Sequence, residues 1–265
     1  MNLYDFPPIH ALIWAAHWAV TELSDLLAGL AGGASAALAV ALLTILVRIA
    51  LIPVGRSQIK ASFARKRLAP RLAELQRRYR TDPQQLQRRM AELYREEGSS
   101  PFAGCLPLLA QAPVLMAIYG VFILPRIGGD PNLLLGHELF GIGLGESLAG
   151  LVGAGAAGWV AAAVFGALML VIAVVAQGSR RLLAAQSEPA PDPDPRAKTA
   201  PNAPAIPQGA IRALSFLPFL TAVIAAFVPL AAAIYLAVST TWTFAERWIL
   251  TRTLDPARRN PDPQH

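Results

Sequence analysis

The chain has 265 residues, of which 54% are hydrophobic and only 15% are charged, and its formal net charge is +6. Soluble globular domains carry about 25% charged residues, so this composition excludes that class and indicates a polytopic membrane protein. The single cysteine, Cys105, excludes an internal disulfide and with it a disulfide-stapled fold.

The segment 1–34 predicts an N-terminal amphipathic helix. Apolar residues recur at helical spacing over 9–30, but polar residues interrupt the apolar face. Trp14 and Trp18 suit the headgroup region of a bilayer. We therefore expect this helix to lie at the membrane interface, with a sixth membrane span as the open alternative.

Residues 35–55 form the first predicted membrane span, and the span contains a charge. At 1.5 Å per residue, this apolar run is long enough to cross most of a bilayer core. Arg48 within it costs on the order of 2.5–3.5 kcal/mol, so its presence needs a reason. Thr44 lies one turn earlier, and the i, i+4 spacing puts both side chains on one helix face. Two explanations stay open at this point: a functional site in the membrane, and a side chain that reaches back to the lipid phosphates.

Residues 56–99 predict a basic helical hairpin outside the membrane. Leucines at helical spacing mark one face of each helix, and Asp82 followed by Pro83 is typical of a helix start. Pro70 is expected to kink or restart the first helix. Twelve Lys or Arg residues against three acidic residues over 56–95 favour contact with anionic lipid, RNA or acidic peptide. The candidate contact residues are Arg65, Lys66, Arg77, Arg78, Arg88 and Arg89.

Four further spans and their connections complete the predicted organisation. They are a second span at 100–125 that carries Gln111, an extracytoplasmic loop at 126–147, a third span at 148–178, a disordered proline-rich linker at 179–210, a fourth span at 211–228, a fifth span at 229–250 and a cytoplasmic tail at 251–265. Of the 23 Lys and Arg residues, all but Arg48 and Arg126 fall on the side of the hairpin, linker and tail. The positive-inside rule makes that side cytoplasmic. The predicted fold class is therefore an all-α polytopic membrane protein with a five-helix core, a cytoplasmic hairpin and an N-terminal interfacial helix.

Several short motifs follow one another in a fixed order over the first half of the chain. They are Thr44-Ile-Leu-Val-Arg48, Leu75-Gln76, Asp82-Pro83-Gln84, Leu93-Tyr94, Gly104-Cys-Leu-Pro-Leu-Leu109 and Gln111-Ala-Pro113. Together they resemble the YidC branch of the Oxa-type membrane protein insertases, closely from about 44 to 122 and more loosely over 229–248. The sequence departs from the family pattern at Leu236, where many members carry tryptophan, and at Ser100, where asparagine is usual.

The resemblance implies a five-helix core around a hydrophilic groove that opens to the cytoplasm and to lipid. The groove arginine of the family falls on Arg48, the threonine along the path of the inserting segment on Thr44, and the tyrosine of the final span on Tyr235. Gln177 is similar to a glutamine of the groove, and Gln111 is our further candidate for its lining. Because about 34 residues precede the first predicted span, the chain resembles the short bacterial form without a large extracytoplasmic domain.

The function that this resemblance implies is the insertion and folding of nascent membrane proteins in the bacterial plasma (inner) membrane, without nucleotide. The implied partners are nascent membrane proteins and anionic lipid, with the ribosome and the Sec translocon as open candidates. No cofactor, metal, small-molecule substrate or enzymatic reaction is expected. The rival hypothesis is a small transporter or channel that uses Arg48 as an anion site, and five predicted spans without a visible internal repeat argue against it. A membrane-tethered enzyme has no support, because the sequence contains no P-loop, HExxH or GxSxG motif.

Overall fold

The computed structural model describes residues 6–79, 82–96, 106–186 and 216–254, and these residues are mostly helical. The helices are α1 (Pro7–Ala31), α2 (Ser35–Ala50), α3 (Ile52–Arg78), α4 (Pro83–Glu96), α5 (Leu106–Ile123), α6 (Leu148–Gly153), α7 (Trp159–Gln186), α8 (Leu217–Ile224) and α9 (Leu230–Leu254). Two segments of the described ranges, Pro7–Ala50 and Trp159–Leu183, are long and apolar enough to cross a membrane. This agrees with the predicted all-α membrane protein, whereas the number of spans stays a prediction.

The N-terminal helix α1 packs against α2 and α5. Ile13 and Ser24 are among its buried residues, and the hydroxyl oxygens of Ser24 and Ser35 lie 3.1 Å apart at the junction with α2. The chain turns there at Gly32, whose φ of +52° lies in the left-handed region that favours glycine. The helix predicted over 9–30 is therefore present, and its position relative to the membrane stays a prediction.

A single residue, Leu51, separates α2 from α3. Pro53 follows in the first turn of α3, where a missing N–H removes no helical hydrogen bond. α3 then continues through Pro70 to Arg78, so the helix does not restart at this proline, and the kink expected as the alternative stays a prediction. The first part of α3 packs against α9, so the hairpin is continuous with the helix bundle.

The helices α3 and α4 form the hairpin. Asp82 caps α4 as predicted, since its Oδ1 accepts a hydrogen bond from the Gln85 N–H at 3.0 Å. Leu68 of α3 and Leu93 of α4 are buried, and the two helices are in contact. The apolar seam of the hairpin thus lies where the leucine spacing predicts it.

The loop after α5 contains two short antiparallel hairpins, which we call the far-side loop (126–147). Its strands are β1 (Arg126–Ile127), β2 (Asp130–Pro131), β3 (Glu138–Leu139) and β4 (Ile142–Gly143), with β1 paired to β2 and β3 to β4. Asn132 is buried and ties this loop to the end of α5. Its Nδ2 donates to the carbonyl oxygens of Val121 and Leu124, the latter at 2.9 Å. Val121 lies in the last turn of α5 and Leu124 follows the last residue of that helix, so the asparagine supplies donors that the helix does not provide at its end.

The region predicted as one span at 148–178 contains two helices, α6 and α7. They are separated by five residues that include Gly155, whose φ is +68°. α7 continues to Gln186 and therefore extends into the predicted linker, the rest of which lies outside the described residues. The tail beyond 254 also lies outside them.

The last helix, α9, is anchored to the far-side loop at its start. The N–H of Leu230 donates to the carbonyl oxygen of Glu146 at 2.7 Å, and that of Ala231 donates to Leu144 at 3.1 Å. Leu230 and the three alanines after it are buried. Small side chains let neighbouring helices approach closely, and α9 packs against both α2 and α7.

Candidate functional site

The helices α2 and α9 lie side by side in a regular register. Arg48 Nη2 donates a hydrogen bond to Ser239 Oγ, and these two residues are 191 positions apart in the sequence. Thr44 and Tyr235, at the same separation, both line one cavity. Further along, Gly55 of α3 lies against Glu246. Three pairs with the same separation mean that the two segments run parallel over this length.

The cavity between these helices has a volume of about 240 Å³ and is lined by α1, α2, α5 and α9. Its polar lining groups belong to Thr44, Arg48 and Tyr235. The remaining lining residues are apolar, and they are Leu12, Ala15, Ala16, Ala19, Leu43, Val47, Leu51, Ala117 and Ile118. The site is therefore an apolar pocket with one cationic group and two hydroxyl groups.

Thr44 and Tyr235 are both buried to within 2% exposure. The Thr44 hydroxyl donates to the carbonyl oxygen of Val40 at 2.7 Å, so its proton is used within α2. The hydroxyl oxygen keeps its capacity to accept a hydrogen bond. Both residues line the cavity, but the surface that they and their neighbours expose to it is almost entirely apolar.

Arg48 is half-buried and has one neutral partner and one charged neighbour. Ser239, which accepts its hydrogen bond, is 4% exposed. Glu246 lies within electrostatic range of Arg48. Sequence reasoning identified neither Ser239 nor Glu246. The signal for them was the spacing of Tyr235, Ser239 and Glu246, which places all three on one face of α9.

Glu246 is held by two features of its surroundings. One carboxylate oxygen, Oε2, accepts a hydrogen bond from Trp242 Nε1 at 3.2 Å. The other, Oε1, is buried and has no hydrogen-bond partner among the described residues. A Cβ atom on Gly55 would lie 1.8 Å from this oxygen, so a larger residue at that position of α3 would force the carboxylate to move.

The other predicted groove residues lie apart from the cavity or outside the described part of the chain. Gln177 is half-buried on α7, and α7 contributes no residue to the cavity lining among the described residues. The side chain of Gln111 lies outside the described residues. The structure therefore brings together Thr44, Arg48 and Tyr235 only, as far as the described residues extend.

The predicted contact residues of the hairpin are exposed wherever they are described. Arg77 and Arg78 lie at the end of α3, and Arg88 and Arg89 lie on α4. The side chains of Arg65 and Lys66 lie outside the described residues. Arg89 Nη1 is 2.9 Å from Glu92 Oε2, and the hydrogen bond to this carboxylate raises the pKa of Arg89. The described surface of the hairpin is therefore cationic and open to solvent.

A family model matches most of the chain, including the polar residues Thr44, Arg48 and Tyr235 of the cavity, whereas the α1 residues that line the cavity precede the matched range. The model of the family described as 60Kd inner membrane protein matches residues 27–257, a range that begins near the end of α1 and includes all of α2 and α9.

Relatives with matching segments include two bacterial proteins and one algal protein. The membrane protein insertase YidC of Clostridium perfringens is 39% identical over 105 residues, which cover 39% of this chain and 44% of that protein. The membrane protein insertase YidC of Helicobacter pylori is 47% identical over 83 residues, covering 31% and 15%. The inner membrane ALBINO3-like protein 2, chloroplastic, of Chlamydomonas reinhardtii is 30% identical over 171 residues, covering 58% and 38%. The matched segments thus span less than half of the length of each relative.

Proposed function

This chain belongs to the 60Kd inner membrane protein family, the YidC/Oxa family, and from that premise we propose that it is a membrane protein insertase. It assists nascent transmembrane segments to enter and fold in the bilayer, and it needs no nucleotide and catalyses no covalent reaction. The curated relatives named membrane protein insertase support the activity. The cavity that joins Thr44, Arg48 and Tyr235 is the observation that carries the mechanism.

The physical problem in insertion is the polar flank of an otherwise apolar segment. Each unsatisfied polar group costs several kcal/mol in hydrocarbon, so the flank opposes its own transfer. A cavity with hydrogen-bonding groups inside the bundle shortens the distance over which the flank has no partner. Arg48 adds an attraction for acidic flanks, and this attraction is stronger in a half-buried site than at a surface because water screens it less.

The outer face of α2 supports the release of the segment into lipid. Leu38, Leu42 and Leu46 are exposed large apolar residues at helical spacing on this helix. They form an apolar surface adjacent to Thr44, which lies on the same helix and faces the cavity. We propose that an inserting helix passes from the cavity to lipid along this surface, with Gln111 and Gln177 as further contacts in the groove.

The hairpin contacts the nascent membrane protein before the cavity does. Its exposed arginines suit the acidic surface of anionic lipid, and the ribosome and the Sec translocon are further proposed partners. The positive-inside rule places the hairpin in the cytoplasm, and we propose that the chain functions in a bacterial plasma membrane in this orientation. No metal, cofactor or small-molecule substrate enters the proposed mechanism.

Reconstitution tests the proposal. The purified chain in liposomes is given a short single-span substrate with an acidic leading end and no nucleotide, and protease protection reports insertion. We expect protection above that of empty liposomes, and a loss of about tenfold on Arg48→Ala, the change that corresponds to about 1.4 kcal/mol. Arg126→Ala, in the far-side loop, is the matched control, since Arg126 is exposed and, within the described ranges, its side chain donates to the nearby Gly129 carbonyl.

Three outcomes separate the hypotheses. Protection by the wild-type protein establishes the activity, and its loss on Arg48→Ala places the arginine in the mechanism. Protection that survives Arg48→Ala retains the activity and removes Arg48 from it. An absence of protection across several substrates, together with flux of an anion through the liposomes, replaces the insertase with the transporter hypothesis.

A further inference from the structure

Glu246 places a negative charge on α9 beyond the cavity that Thr44, Arg48 and Tyr235 line, and it is not itself one of the lining residues. It lies on the same face of α9 as Tyr235 and Ser239, seven residues after Ser239 and roughly 10 Å along the helix axis. Across from this face, α2 and α3 present Thr44, Arg48 and Gly55 in the parallel register described above. A carboxylate therefore lies on the face of α9 that holds the partner of Arg48, about two turns beyond that partner.

The position of this carboxylate is fixed from two sides. Trp242 Nε1 donates to Oε2 at 3.2 Å, on the same helix. On the facing helix, the missing side chain of Gly55 leaves the space that Oε1 occupies, and a Cβ there would lie 1.8 Å from it. An exposed glutamate on a helix surface samples many rotamers in water, whereas this one is held against α3.

Two cations lie within electrostatic range of Glu246, namely Arg48 and Arg247. Arg247 is exposed, so water and salt screen its interaction. Arg48 is half-buried in the groove, where screening is weaker. The main electrostatic consequence of Glu246 is thus to lower the positive potential that a segment in the groove experiences near Arg48.

We propose that Glu246 is a specificity-determining residue of the groove, which weakens the binding of segments with acidic leading ends relative to neutral ones. The proposal rests on the proposed function, because it requires that client segments enter the groove. Glu246 reduces the attraction between Arg48 and an acidic segment. Without this opposing charge, the arginine would bind an acidic end more tightly and release it more slowly. Glu246 is a positioning charge in this scheme and needs no direct contact with the client.

Peptide binding to the full chain in detergent tests the proposal without requiring insertion. Two fluorescent peptides share one apolar segment, and their leading ends carry either two aspartates or two asparagines. We expect Glu246→Gln to raise the affinity for the acidic peptide about fivefold and to leave the neutral peptide unchanged, since an exposed or partly exposed charge interaction contributes about 1 kcal/mol. Glutamine keeps an oxygen that accepts the Trp242 hydrogen bond, so the packing is preserved.

Two further variants sharpen the result. Gly55→Ala displaces the carboxylate from the opposite helix and is expected to shift the acidic-to-neutral ratio in the same direction by a smaller factor. Glu138→Gln makes the same charge change on the exposed far-side loop and is expected to leave both affinities unchanged. Glu246→Gln and Gly55→Ala lie on two facing helices. If both variants raise the affinity for the acidic peptide, a disturbed fold does not explain the result, since it would lower the affinity.

An unchanged or lowered preference for the acidic peptide on Glu246→Gln overturns the proposal, as does an equal change for both peptides or a lack of peptide binding by the wild-type protein. The result is separable from the proposed function. A chain that inserts substrates but has no preference that depends on Glu246 refutes this inference alone. A chain that inserts nothing refutes the proposed function, whatever the peptide affinities are.

Discussion

Arg48 is a costly residue for an apolar helix, and a neighbouring helix offsets the cost. Ser239, which is 4% exposed, accepts a hydrogen bond from its guanidinium. A hydrogen bond to a charged group contributes about 1.5–3 kcal/mol, which is close to the insertion cost of about 2.5–3.5 kcal/mol. Glu246 adds an opposite charge within range. The arginine is therefore stabilised by a hydrogen bond from Arg48 to the facing turn of α9 and by a carboxylate about two turns further along the same helix.

Asn132 carries a structural role of similar weight on the far side of the bundle. Asn132→Ala leaves the Val121 and Leu124 carbonyls without the donor that they have in the structure. Because these groups are buried or partly buried, we expect the free energy of unfolding to fall by about 1–3 kcal/mol. Thermal unfolding in detergent measures this as a lower Tm. Asp130→Ala, an exposed residue of the same loop, serves as the control, and an equal Tm for the two variants contradicts the assignment.

Part of the site could be predicted from the sequence, and the rest depends on tertiary register. The spacing of Thr44 and Arg48 puts both on one helix face, and Tyr235 followed from the family resemblance. Ser239 and Glu246 were missed because their partners lie 191 positions away, and no local pattern specifies which turn of α9 faces which turn of α2. Helical spacing along α9 shows which of its residues share a face. Which residues of α2 and α3 lie opposite that face is decided by tertiary packing.

The α2 and α9 pair is the element that builds the groove, and its close approach depends on small residues. α2 begins with Ser35, Ala36 and Ala37, all buried, and α9 begins with three buried alanines after Leu230. Lipid is as apolar as the helix surfaces, so helices associate in a membrane through packing and hydrogen bonds. The small residues thus let the two helices approach closely where they begin. The pairs that involve polar or charged groups, such as Arg48 with Ser239, lie further along the same interface.

The hairpin is an element whose stability depends on a local cap. Asp82→Ala removes the acceptor of the Gln85 N–H and is expected to destabilise α4 by about 1 kcal/mol. Amide hydrogen exchange of the full chain should then show the amides of 83–96 exchanging about fivefold faster, with other helices unaffected. Gln84→Ala changes an exposed residue of the same turn without removing the cap, so equal exchange in the two variants contradicts the capping role.

At the scale of the whole molecule, the sequence predicted helices well and their interruptions poorly. The hairpin, its cap and its apolar seam follow from residues 56–99, where spacing and capping signals are local. One span was predicted within the region 148–178; the structure places a short helix, α6, before the long apolar helix α7 there, and the bounds of the span stay a prediction. The glycines of this region, including Gly155, cost helix stability and permit a positive φ, and composition alone does not weigh that cost against hydropathy.

The contacts of α1 bear on whether the bundle has five or six spans. Trp14 lies against Gly128 of the far-side loop, where a Cβ would be 3.4 Å from its ring. Ile13 lies against Gly120, close to the end of α5 that enters this loop. From Trp14 back to Pro7 the helix extends roughly 10 Å, which is far short of the ~30 Å of a bilayer core. Leu12 and Ala15 of the same helix, however, line the cavity beside Arg48, so whether α1 is interfacial or a sixth span stays a prediction.

Thiol labelling decides between the two topologies. In a Cys105→Ser background, single cysteines are introduced as Phe6→Cys, Phe140→Cys and Arg88→Cys, at three exposed positions before α1, in the far-side loop and in the hairpin. An impermeant maleimide is applied to vesicles of one orientation. We expect Phe6→Cys and Phe140→Cys to react from the same side and Arg88→Cys only after permeabilisation, because both ends of an interfacial α1 stay on the far side. If Phe6→Cys instead reacts together with Arg88→Cys, α1 crosses the membrane, and the chain has six spans.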